Sequence, residues 1–127
     1  MTRQYGRALF CALTLFIAAC SNPLSSGDCV SLGVFGIRVT VTDGTTHQAP
    51  GSTPTLLIVD GSYQELGTLL GPPNPPQLYA ANERPGNYRL VVQAMGYQDY
   101  TQENVAVTRG GACNYLKSTH LSVQLFR

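Results

Sequence analysis

The 127-residue sequence is short of charge, of histidine and of anything resembling a helical stripe. Charged residues make up 12% of the chain and the formal net charge is +1. Beyond position 19 the basic residues are Arg38, Arg84, Arg89, Arg109, Lys117 and Arg127, scattered singly. A nucleic-acid binder shows a basic patch or stripe, and a surface-adsorbed helix shows Lys and Arg on one face. Neither pattern occurs, so no nucleic-acid partner is expected. The two histidines, His47 and His120, belong to no H-E-x-x-H or H-x-x-E arrangement, which removes the usual zinc-hydrolase signature. "SSGDC" and "DGSYQ" do not fit the G-x-S-x-G nucleophile elbow. Asp43, Asp60 and Asp99 are isolated from one another, outside any D-x-[DN]-x-[DN]-G calcium loop. No catalytic residue, metal or cofactor is expected from these shortages.

Long apolar runs are also scarce. The one that stands out, Ala8 to Ala19, is twelve residues, too short for the roughly 20 that span a hydrocarbon core but the length of a signal h-region. Arg3 and Arg7 precede it, and it closes in Ile17-Ala18-Ala19-Cys20. That ending resembles the bacterial lipobox, in which the cysteine is lipidated and becomes the new N-terminus. A buried helix is the competing reading, but the run is apolar all round and has no stripe to pack on a domain. Residues 1–19 are therefore expected to be a lipoprotein signal peptide, with Cys20 the lipidation site and the membrane a partner through that lipid. Ser21, rather than aspartate, follows Cys20; in a two-membrane envelope this resembles the sorting pattern for the outer membrane. Residues 20–28, "CSNPLSSGD", are small and polar and read as a tether reaching about 30 Å at most.

Four cysteines are present. Cys11 lies in the signal and Cys20 would carry the lipid, which leaves Cys29 and Cys113. In an exported, oxidising setting a single pair favours a disulfide. Free buried thiols or a metal pair are the alternatives, and two cysteines without nearby histidines make a poor zinc site.

From residue 29 the pattern is period two. In "GIRVTVTD", Ile37, Val39 and Val41 alternate with Arg38, Thr40 and Thr42 before an Asp43-Gly44 turn. "TLLIVDGSY" is a β-type run closed by Asp60-Gly61, a strong hairpin cue. "LGTLLGPPNPP", Leu66 to Pro76, carries four prolines and two glycines and predicts an exposed loop. "QLYAAN" reads as a short edge strand. In "GNYRLVVQAMGYQDY", Tyr88, Leu90, Val92 and Ala94 share one face, and Gly96 permits a turn that other residues resist. In "THLSVQLF", Leu121, Val123 and Leu125 share a face. These runs predict an all-β chain, a single antiparallel β-sandwich of about seven strands over residues 29–127.

The run from Gly86 resembles the signature of the carboxypeptidase regulatory-like module, approximately G-x-Y-x-L-x-V-x-A-x-G-Y, with Gly86, Tyr88, Leu90, Val92, Ala94, Gly96 and Tyr97 in register. The resemblance implies a transthyretin-like (prealbumin-like) sandwich related to carbohydrate-binding-like folds, of the kind that accompanies peptidases and outer-membrane proteins and is itself non-catalytic. "ANERPG" stands where the family often has an Asp-Gly turn, and the proline loop is longer than usual, so strand boundaries within 66–85 are left open. Transthyretin relatives that hydrolyse a purine-breakdown product end in Tyr-Arg-Gly-Ser, whereas this chain ends "QLFR". The expectation is a structural or protein-interaction module of an envelope lipoprotein, with a carbohydrate-binding module as the alternative. Candidate contacts to an envelope protein or glycan are Tyr63, Tyr79, Tyr97, Tyr100 and Tyr115, whose rings stack on sugars or anchor partners when exposed. The other reading of the tyrosines is half-buried packing. Leu69 and Leu70 read either as a hydrophobic contact loop or as a flap folded onto the domain.

Overall fold

The computed structural model describes Cys29 and residues 33–72 and 74–127. The expected signal, the tether and Cys20 lie outside the described residues. The described chain is all β. Its nine strands are β1 (Phe35–Asp43), β2 (Thr55–Asp60), β3 (Tyr63–Leu66), β4 (Thr68–Leu70), β5 (Gln77–Asn82), β6 (Gly86–Gln93), β7 (Tyr100–Gly110), β8 (Tyr115–Lys117) and β9 (Thr119–Leu125). They form a four-stranded sheet, β4-β5-β1-β9, and a five-stranded sheet, β3-β2-β6-β7-β8.

Period-two patterning places one apolar row of each sheet between them, as in a β-sandwich. Ile37, Val39 and Val41 of β1, Leu78 and Ala80 of β5, and Val123 and Leu125 of β9 are buried from one side. Leu56 and Ile58 of β2, Tyr88, Leu90 and Val92 of β6, and Val105 and Val107 of β7 are buried from the other. Gly36 marks a close approach of the layers: a Cβ there would lie 2.5 Å from Val107 Cγ1 of the other sheet, and 3.1 Å from the Ala81 carbonyl oxygen of its own.

Three features differ from the sequence expectation. The sheet is not wholly antiparallel, because β1 and β9 pair in parallel, Ile37 opposite Thr119 through Asp43 opposite Leu125. β8 ends in the second sheet and the chain crosses at Ser118, whose Oγ donates to the Phe35 carbonyl at 2.6 Å, so β9 enters from the same end as β1. The Leu66–Pro76 stretch is only partly loop. Leu66 closes β3, Gly67 lets the chain change sheets with its amide on the Leu56 carbonyl (2.8 Å), and β4 pairs with β5 before the prolines begin. For that reason β5 is an interior strand between β4 and β1, not an edge. The count exceeds seven because β3, β4 and β8 are three or four residues long, too short to show an alternation in sequence.

Gly96 sits in the β6–β7 connection at φ +85°, with open space where a Cβ would point. Gly96→Val therefore meets torsional strain alone, and thermal unfolding should show a loss of roughly 1–3 kcal/mol. Gly96→Asn, which tolerates the left-handed region, should lose distinctly less. Equal stability of wild type and the valine variant would contradict the assigned backbone.

Candidate functional site

Two connected sets of polar side chains lie at the two ends of the sandwich. At the end where β1 and β9 finish, Asp43 is buried at 7% exposure. Its Oδ1 accepts from the backbone N–H groups of Thr45 (2.8 Å) and Thr46 (3.0 Å), and its Oδ2 accepts from the Tyr97 hydroxyl at 2.8 Å. The same hydroxyl accepts from Gly51 N–H and from Arg127 Nη2, each at 3.1 Å. This set ties the β1–β2 loop, the β6–β7 turn and the C-terminal residue together. The Thr46 amide, then the Tyr97 hydroxyl and the Thr45 amide, with the Arg127 charge behind them, hold the Asp43 carboxyl down to about 2.

A carboxylate whose folded pKa is depressed contributes stability that is complete above its unfolded value and is lost as pH falls through the folded one. The Asp43 contribution should thus disappear between about pH 4 and pH 2. Melting temperature measured against pH should drop across that window in the wild type and less steeply in Asp43→Asn. Parallel curves for the two proteins would contradict the assignment.

At the opposite end, Tyr63, Glu65, Asp60, Arg84 and Tyr88 form a second connected set. Arg84 Nη1 donates to Asp60 Oδ2 at 2.9 Å and to the Tyr88 hydroxyl at 2.8 Å, and that hydroxyl donates to the Arg84 carbonyl at 2.9 Å. The Arg84 guanidinium lies 3.8 Å from the Tyr63 ring centroid. Tyr63 donates to Glu65 Oε2 at 2.6 Å. Glu65 also accepts from the Ala81 amide, at 3.2 and 3.1 Å, and so joins edge strand β3 to the other sheet at a residue with φ +55°. The bond to Glu65, the burial of Tyr63 and the Glu65 charge push the phenol up to about 12.

Each candidate tyrosine can now be placed. Tyr63, Tyr97 and Tyr100 pack partly against the core, and the Tyr100 hydroxyl donates to Gln102 at 2.8 Å. Tyr79 stands on the outer side of the first sheet, its hydroxyl on Gln77 at 2.7 Å and its ring 5.4 Å from that of Phe35. Tyr115 is exposed on β8. The tyrosines do not converge on one face. Leu69 and Leu70 are 40% and 41% exposed on β4, and Leu69 lines a groove of about 240 Å³ with Ala49, Pro50, Pro54 and Pro76. Leu66, 72% exposed, is close by in sequence at the end of β3.

Cys29 and Cys113 are joined, Cα atoms 5.5 Å apart, beside the β7–β8 turn. His47, at φ 59° in the β1–β2 loop, meets Gln124 at 3.4 Å. His120 meets Arg38 at 2.8 Å. Nothing in the local sequence signals that last contact, because it is created by the parallel β1–β9 register. Among the described residues no group of three His, Cys, Asp or Glu side chains could hold a metal ion, and every buried side-chain N or O atom has a hydrogen-bond partner.

Neither a protein-family model nor a curated protein matches the chain.

Proposed function

We propose that the chain is a membrane-anchored lipoprotein of the bacterial cell envelope, of the outer membrane where there are two. Its carboxypeptidase regulatory-like, transthyretin-like sandwich acts as a non-catalytic structural or protein-interaction module. Residues 1–19 direct export, Cys20 carries the lipid, and residues 20–28 hold the domain close to the bilayer. The observation that carries the interaction reading is the apolar corner at β3 and β4. Leu69 and Leu70 stay exposed on β4, Leu69 in the proline-lined groove, and Leu66 is exposed at the end of β3, while the hydroxyls of Tyr63, Tyr79, Tyr97 and Tyr100 are bonded within the domain. The groove opens at the Asp43 end, and Cys29, where the tether enters, is at the other. An anchored domain would therefore present the groove away from the lipid.

The test is a photo-crosslinking residue placed at Leu70 and, as control, at Gln124 on the far edge strand, in cells with an intact envelope. The reading expects a discrete envelope protein captured from position 70 and not from 124. Identical adduct patterns from both positions, or no adduct from 70, would count against it.

A further inference from the structure

The outer side of the first sheet carries a cation with no counter-charge among the described residues. The β1–β5 and β1–β9 registers place Tyr79, Arg38 and His120 side by side across three strands. Arg38 lies between the inward Ile37 and Val39 and is therefore outward, half-buried among its neighbours. Its Nη2 donates to His120 Nδ1 at 2.8 Å. Guanidinium has no acceptor, so Nδ1 accepts in this contact and Nε2 is left as the ring's donor. The hydrogen bond orients Arg38 without neutralising it.

The other four described arginines are each ion-paired: Arg84 with Asp60 at 2.9 Å, Arg89 with Glu103 at 3.9 Å, Arg109 with Glu83 at 3.7 Å and Arg127 with Asp43 at 3.9 Å. Arg38 is the exception. β4, β5 and β9 contain no carboxylate, and the one in β1, Asp43, is buried at the far end of that strand. A guanidinium held at the surface toward a nitrogen acceptor keeps free N–H donors in the fork geometry that carboxylates match.

Beside it stands an aromatic wall. The Phe35 and Tyr79 rings meet at 5.4 Å and 57°, and the Tyr79 hydroxyl is fixed on Gln77. Arg38, His120, Phe35 and Tyr79, with Gly33, Val34 and Ser118, line an open cleft of about 250 Å³. That is below the roughly 300–1,000 Å³ of pockets for drug-sized ligands, so the cleft suits a single ring.

We propose that this cleft binds a small ring-bearing carboxylate. The carboxylate takes the free donors of Arg38, with the His120 Nε2–H as a second donor, and the ring lies against Tyr79. A sugar acid and an aromatic acid share this chemistry. The site is independent of the β3–β4 corner and stands whether or not that corner binds a protein.

Calorimetric titration of the purified full-length protein with D-glucuronate, benzoate and D-glucose tests it, alongside Arg38→Gln and Tyr79→Leu, each checked for an unchanged melting temperature. Saturable binding of at least one acid is expected, weakened roughly tenfold or more by Arg38→Gln and measurably by Tyr79→Leu, with D-glucose at least tenfold weaker than the acid it resembles. Preference for glucuronate identifies a sugar acid, and preference for benzoate an aromatic one. The absence of saturable binding by either acid would overturn the proposal. So would an affinity that Arg38→Gln leaves unchanged, or D-glucose binding as tightly as the acids.

Discussion

Leu90→Ala should destabilise the domain by roughly 2–5 kcal/mol, the range for removing a buried leucine side chain when its surroundings collapse only in part. Leu90 is completely buried on β6, the middle strand of the five-stranded sheet. It lies opposite Ile58 of β2 and Gln102 of β7, with Tyr88 and Val92 on the same inward face. Neighbours on both sides are held by strand pairing and cannot move in to fill the space. In a domain of this size the loss should lower the melting temperature by roughly 10–30 °C. Val91→Ala, one residue on and half-buried on the outer face, should cost about 1 kcal/mol or less. A larger loss for Val91→Ala than for Leu90→Ala would mean that the faces of β6 are reversed.

Replacing Cys29 and Cys113 together by alanine should have an effect of similar size. The bond closes a separation of 84 residues, for which the loss of loop entropy in the unfolded chain corresponds to roughly 4–5 kcal/mol. It also fastens the start of the domain to the β7–β8 turn, where β8 contributes only three residues to its sheet. Chemical denaturation of wild type and the double variant, both without reductant, measures the difference. A midpoint shift equivalent to less than about 1 kcal/mol would show that the crosslink restrains little that the unfolded chain would otherwise explore.

The parts of this fold that are legible in the sequence are those written in local patterning. The alternation in "GIRVTVTD" and "GNYRLVVQ" assigns inward faces to Ile37, Val39, Val41, Tyr88, Leu90 and Val92, and all of these are buried. Asp60-Gly61 marks the β2–β3 hairpin, with Gly61 at φ 59°. What escapes is anything set by long-range pairing. The parallel β1–β9 ladder joins residues some 80 positions apart, and no period within either strand announces it. β4 is hidden because its three residues precede a run of prolines that reads as loop.

The same division applies to the side chains. Tyrosines could be picked out by type, but their hydroxyl partners, such as Asp43 for Tyr97 at 2.8 Å, come from distant segments. Arg38 and His120 each read as an isolated polar residue on a strand. Only the sheet register turns them into neighbours beside Tyr79. Leu69 and Leu70 beside the prolines read in sequence either as a contact loop or as a flap folded onto the domain, and the structure places both exposed on β4.

The central claim, an anchored and disulfide-closed envelope domain, is tested most directly by the intact mass of the protein extracted from its native membrane, first without reductant and then with it. The account predicts the mass of residues 20–127 plus a lipid modification, rising by two hydrogens on reduction. An unlipidated protein in the soluble fraction, or a membrane protein that retains residues 1–19, would contradict it.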